Sequence, residues 1–178
     1  MIFTELPLKG AFLVDLERHE DERGFFARSW CAQEFAALGL DARLAQCNLS
    51  HNPKRKTLRG LHYQVAPHPE AKLVTCVRGR IWDVVVDLRP GSPTFRAWHA
   101  VELDGVGLRA LFIPKEFAHG FQTLADDSLV LYQISEFYHP ESARGLRWDD
   151  PALAIAWPEA EGRVISERDR SYPLLDGP

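Results

Sequence analysis

From Leu58 onward the chain is written in short runs rich in Val, Ile, Leu and aromatic residues, cut at close intervals by Gly, Pro and Asp. Runs of this length with little 3.6-residue periodicity select strands and leave no room for a helical core. Lys72 to Val77 and Ile81 to Leu88 flank Arg78-Gly79-Arg80 and are expected to form a hairpin, which Arg89-Pro90-Gly91-Ser92-Pro93 ends. Leu108 to Pro114 and Leu129 to Ser135 read as further strands. Ahead of this region the pattern predicts one helix over Trp30 to Leu38, with Ser29 as its cap, Phe35 and Leu38 on a shared face and Gly39 as its stop. Behind Tyr138 the sequence is charged and Pro-punctuated, and Trp148, Ile155 and Trp157 are expected to anchor it back onto the strands.

Many short strands with turns between them imply a sandwich or jelly roll, whose open end is a natural pocket for a small molecule. The expected fold is all-β: a jelly-roll barrel with a short N-terminal helix and small C-terminal helical or irregular segments. With 178 residues and 46% apolar side chains, the chain can fill the core of one domain spanning 1–178, without a disulfide or metal.

The formal charge of −4 gives no basic surface for nucleic acid or anionic lipid, so an anionic ligand is expected to be small. Cys31, Cys47 and Cys76 are odd in number and lack Cys-x-x-Cys spacing, which points to a reduced, cytoplasmic protein. The N-terminus lacks the charged and apolar regions of an export signal, and no apolar run approaches the roughly eighteen residues of a membrane span.

Strand alternation decides which side chains can look inward. His62 and Gln64 share one face of Leu58 to Gln64; Lys72, Val74 and Cys76 share another; Tyr132 projects with Val130 and Ile134. Arg59 has the opposite parity to His62, so both reach one cavity only if the strand is bulged, and Gly60 between them suits a bulge. His19, His51, His68, His99 and His139 stand in polar or Pro-bearing stretches and are expected at the surface.

Isolated histidines in a jelly roll first suggest a metal site built on a His-x-His pair. Here the second position is Gln64, and Lys72 would repel a cation, so no metal and no cofactor are expected. No Gly-rich phosphate loop or Gly-x-Ser-x-Gly elbow is present, which disfavours dinucleotide chemistry and Ser hydrolysis. Each remaining candidate alone fits a structural place: His62 as a satisfied core histidine, Tyr132 as a core aromatic, Lys72 as an edge-strand charge. Taken together, His62, Lys72, His119, Tyr132 and nearby arginines suit acid-base chemistry beside a ketone in a phosphate-bearing compound. Removing such a proton needs a positioned base and a cation for the enolate oxygen, and inversion needs a donor on the opposite face.

The runs DERGFF (Asp21 to Phe26), QCNLS (Gln46 to Ser50), LRGLHYQ (Leu58 to Gln64), EAKLV (Glu70 to Val74), VVVDLRPGSPTF (Val84 to Phe95), IPKEFAHGF (Ile113 to Phe121), DDPALAIAW (Asp149 to Trp157) and ISERD (Ile165 to Asp169) appear in this order. Together they resemble the dTDP-4-dehydrorhamnose 3,5-epimerases over nearly the whole chain. The resemblance implies a homodimeric cupin jelly roll, without metal, that epimerises C3 and C5 of a dTDP-linked 4-keto-6-deoxy sugar; the alternatives are a C3- or C5-only epimerase of a related nucleotide sugar and a non-catalytic sugar-nucleotide-binding cupin. It also implies roles: His62 as proton acceptor, Asp169 as its carboxylate partner, Tyr132 as proton donor, and Lys72 beside the keto oxygen. His119 falls on a sugar contact, Arg23 and Arg59 on pyrophosphate binders, Gln46 and Asn48 on nucleoside contacts, and Phe26 with Tyr138 on base-stacking positions. Arg168 stands where the family has lysine, Arg28 and Ala143 where it has glutamate, and Lys56 and Glu116 where glycine is common.

Overall fold

The computed structural model describes residues 1–158 and 161–175. In chain order its elements are β1 (Ile2–Glu5), β2 (Phe12–Asp15), β3 (Arg18–Asp21), β4 (Gly24–Ala27), α1 (Ala32–Ala37), β5 (Gln46–Asn52), β6 (Leu58–Gln64), β7 (Lys72–Arg78), β8 (Arg80–Asp87), β9 (Trp98–Asp104), β10 (Ala110–Ile113), β11 (Phe117–Thr123), β12 (Ser128–Ile134), β13 (Ala143–Gly145) and α2 (Glu167–Arg170). One antiparallel sheet runs β1-β2-β10-β7-β12-β5, the other β13-β6-β11-β8-β9, and β3 pairs only with β4. This is the expected all-β jelly roll.

Strand alternation divides the apolar residues among three layers. Between the sheets, Val74, Cys76, Leu111 and Val130 meet Ile81, Val85, Leu103, Phe117 and Phe121 in one buried cluster. Their sequence neighbours point the other way. Leu73, Ala110 and Phe112 pack outward against Phe35 of α1, whereas Leu61, Val86 and Ala118 pack outward against Leu146 and Leu153, with Ile155 and Trp157 alongside. Both faces of β8 are therefore covered, which is why Val84-Val85-Val86 reads as an unbroken apolar run. Ile155 and Trp157 anchor the C-terminal segment as expected, and Trp157 Nε1–H donates to the Trp148 carbonyl at 2.7 Å, but the Trp148 ring lies outside this cluster, with the Arg163 guanidinium 4.6 Å from its centroid.

Two local expectations are corrected. The strands flanking Arg78-Gly79-Arg80 have the expected positions but do not pair with each other. Both edges of β7 are taken by β10 and β12, and both edges of β8 by β9 and β11, so the connection crosses between sheets. Gly79 makes that corner at φ +78°, with Ser128 so close that a Cβ would lie 2.4 Å from its Oγ. The helix is shorter than predicted: its N-cap is Cys31, with no side-chain cap, and Ser29 lies outside it. Gly39 does stop the helix, at φ +70°, but Leu38 has already left it and is exposed; Leu40, past the turn, fills the layer instead.

Candidate active site

The predicted bulge places the first group. β6 and β11 pair at His62↔His119 and again at Arg59↔Phe121, so β6 spends one more residue than β11 between these pairs. Gly60 absorbs it at φ +124°, and a Cβ there would lie 2.5 Å from Gly120 Cα, so the close approach of the two strands requires glycine at this position. The slip lets Arg59 and His62 reach the same cavity despite their opposite parity. Lys56 and Glu116, where the family commonly has glycine, both have positive φ, at +66° and +63°.

The cavity has a volume of about 320 Å³; Gln46, Asn48, Arg59, His62, Lys72, His119, Tyr132, Tyr138 and Arg168 are all in its wall. Asp169 stands behind His62, its Oδ1 2.8 Å from His62 Nε2, while its Oδ2 accepts the Gly60 N–H at 3.3 Å. Ser166 caps α2 by accepting the Asp169 N–H, which fixes the carboxylate in a short helix. Burial would raise the Asp169 carboxyl, but the hydrogen bond and charge of His62 and the Gly60 N–H hold it below its ordinary value.

Opposite His62, Tyr132 projects from β12 of the other sheet and packs edge-on to His119, ring centroids 5.9 Å apart. Burial, and after it the Asp83 carboxylate, push the Tyr132 phenol far up, so it keeps its proton at neutral pH. Lys72 is buried, 2.8 Å from Glu70 Oε1 and 3.4 Å from the His62 carbonyl.

Arg23 and Phe26 do not join this cavity within the chain. They sit on the β3–β4 hairpin, the Arg23 side chain 84% exposed and paired with Asp21, and Phe26 75% exposed. Arg28, just beyond β4, pairs with Glu34 at 2.8 Å, whereas Ala143 lies in the cavity wall.

Three participants are missed by sequence reasoning. Glu70 is the counter-ion of Lys72, two residues before it in the EAKLV run. Asp83 is fully buried on the inward face of β8, its Oδ1 2.8 Å from His119 Nε2 and its Oδ2 without a hydrogen-bond partner among the described residues. A lone carboxylate inside the Ile81 to Val86 run was the signal for it. The third, Tyr172, also lines the cavity.

His68 and His139, like His99, are half-buried rather than at the surface. Together with Glu136 they put one potential metal-ligand atom each within 4.8 Å of one another. The two imidazoles stack face to face, centroids 3.5 Å apart and planes 5° apart. In-plane lone pairs in parallel planes run side by side and do not converge on one ion. Gln64, where a His-x-His pair would have its second histidine, is fully engaged in holding these loops: its amide donates to the His68 and Phe137 carbonyls and accepts the His139 N–H.

A jelly roll whose cavity presents a histidine on one sheet backed by a carboxylate on α2, and a tyrosine on the other sheet with a lysine close by, has the groups of an acid-base isomerase of the cupin-like class. The chain belongs to the dTDP-4-dehydrorhamnose 3,5-epimerase family, whose model matches residues 5–177. A dTDP-4-dehydrorhamnose 3,5-epimerase of Methanothermobacter thermautotrophicus is 42% identical, with 99% of this chain and 96% of that protein covered. The crystal structure of the Elizabethkingia anophelis 3,5-epimerase superposes with TM-score 0.95 at 36% identity, covering 98% of this chain and 96% of the other. A Legionella pneumophila 3,5-epimerase solved in complex with dTDP-4-keto-L-rhamnose gives TM-score 0.91 at 38% identity, covering 98% and 92%. Among the described residues no helix is long and apolar enough to cross a membrane.

Proposed function

We propose that this protein is an epimerase that inverts C3 and C5 of dTDP-4-dehydro-6-deoxy-D-glucose, giving dTDP-4-dehydro-L-rhamnose. The observation that carries this reading is the projection of His62 and Tyr132 into one cavity from opposite sheets. A carbon beside a ketone becomes planar when it loses its proton, and inversion follows if the proton returns to the other face. His62, held by Asp169, takes the proton; the ketone oxygen gains the negative charge, which Lys72 stabilises; Tyr132 delivers a proton to the opposite face. Solvent then restores both groups, the phenol regaining a proton and the imidazole losing one. His119 contacts the sugar, and Arg59, Arg168, Gln46, Asn48 and Tyr138 receive the pyrophosphate and nucleoside. The test is incubation with this substrate in deuterated water. Deuterium is expected at both C3 and C5; label at one carbon, or at neither, overturns the reading.

Arg23 and Phe26 enter the same proposal through a second copy of the chain. Their exposed hairpin cannot serve its own cavity, and Leu49, in the cavity wall on edge strand β5, is itself 66% exposed. A homodimer in which each hairpin completes the partner's nucleotide end accounts for both exposures. Sedimentation of the free protein is expected to give twice the chain mass, and Arg23→Ala to weaken nucleotide binding.

A further inference from the structure

His62 has two cross-strand neighbours, His119 on β11 and Gly145 on β13. Gly145 is not glycine for the sake of its backbone, since its φ lies outside the left-handed range. It is glycine for the sake of a side chain: a Cβ there would lie 2.4 Å from both Cε2 and Cζ of Tyr172. The tyrosine ring is thus seated in a notch directly beside the base, edge-on to the imidazole with centroids 5.7 Å apart and planes at 71°. Tyr172 follows α2, the helix that carries Asp169, so one short segment delivers both groups that touch His62.

These two contacts constrain different motions. The Asp169 carboxylate holds Nε2 and fixes the imidazole within its own plane, leaving Nδ1 for the substrate, but a single hydrogen bond leaves the ring free to tilt about that bond. An aromatic edge seated against the ring removes that tilt. We propose that Tyr172 is a positioning residue for the base, fixing the plane of His62 and so deciding how evenly the base reaches the two carbons flanking the ketone. The notch at Gly145 holds one side of the ring, and Arg168 lies over it, its Cζ 5.8 Å from the ring centroid. This inference rests on the epimerase reading above.

The test measures kcat, KM and the C3:C5 deuterium ratio for Tyr172→Ala, Tyr172→Leu, Tyr172→Phe and Gly145→Ala. Tyr172→Ala is expected to lower kcat by about 10- to 100-fold, the scale of a small misplacement of a reacting group, with KM changing less. It is also expected to shift the label ratio away from that of the wild type. Tyr172→Phe keeps the ring and the ratio. Gly145→Ala evicts the ring and reproduces the alanine phenotype with the tyrosine still present, and the double variant is no worse than either single one, because both act through the same contact. If Tyr172→Ala fails to fold, Tyr172→Leu fills the notch without a flat edge and is expected to show the same shift. An unchanged ratio in every folded variant, or equal losses in thermal stability and activity with the ratio intact, overturns the proposal. Wild-type protein that takes up no label overturns the underlying epimerase reading, and with it this inference.

Discussion

Replacing His62 by alanine is expected to lower turnover by about 10³-fold or more and to abolish deuterium uptake at C3 and C5 together, while the circular dichroism spectrum stays that of the wild type. General acid-base catalysis by one positioned group is worth about 10² to 10⁴, and no other imidazole in the cavity wall can take over. His119 is the nearest, but it is buried, its Nε2 lies 2.8 Å from Asp83 Oδ1, and its ring packs edge-on to Tyr132. The fold is expected to survive because the His62 side chain is 42% exposed and the strand is held by its neighbours on both sides. Asp169→Asn is expected to lose less, roughly 10²-fold, the lower end of the same range, since the base remains but its protonated form loses a partner. The folded Asp169 carboxyl titrates below its ordinary value, so it is ionised at neutral pH, and its contribution is lost only as pH falls through that lowered value. The asparagine variant removes the charge at every pH, so its deficit should persist across the neutral range. Single-turnover label uptake followed by mass spectrometry checks both variants.

Tyr132→Phe is expected to separate exchange from inversion. The substrate C–H still meets His62, so deuterium continues to enter, but the opposite face has lost its donor and label returns with the original configuration. Inverted product is expected to fall by about 10²-fold or more, with exchange reduced far less. Burial and Asp83 raise the phenol, which keeps it protonated at neutral pH and makes it a weaker acid, one that gives up its proton only to a base as strong as the enolate carbon. Removing one hydroxyl from a ring that packs against the inter-sheet core leaves the packing intact. Nuclear magnetic resonance of the sugar protons distinguishes label from inversion in one sample. Equal loss of exchange and inversion would show that His62 and Tyr132 are not separate base and acid.

The strands were legible because their signal is local. β6 has the bounds read from its own alternation, Gly60 announced the bulge, and inward parity put His62, Lys72 and Tyr132 into one cavity wall. The turn at Gly79 was legible as a turn, yet a hairpin and a sheet-to-sheet crossing demand the same residues at the bend. The competition for the edges of β7 and β8, which decides between them, is settled by strands distant in sequence as well as near. The helix cap failed for a similar reason: Ser29 is a competent cap, but the segment as far as Cys31 is extended, and only Ala32–Ala37 closes helical bonds.

Apart from Asp169, whose partnership with His62 the family resemblance implied, what the residues by themselves determined is the all-β character, the strands around Leu58 to Gln64, Lys72 to Leu88 and Leu129 to Ser135, the side of each that faces inward, and the acid-base chemistry for which His62, Tyr132 and Lys72 are suited. Those follow from alternation, turn chemistry and side-chain type, which act over a few residues. Only the tertiary structure decided which groups meet. Glu70 neutralises Lys72, Asp83 holds His119, Tyr172 fills the notch at Gly145, and Arg23 with Phe26 stands outside the chain's own cavity. Contacts of that kind depend on how two sheets and a C-terminal segment pack against one another, and packing has no period that a sequence can display.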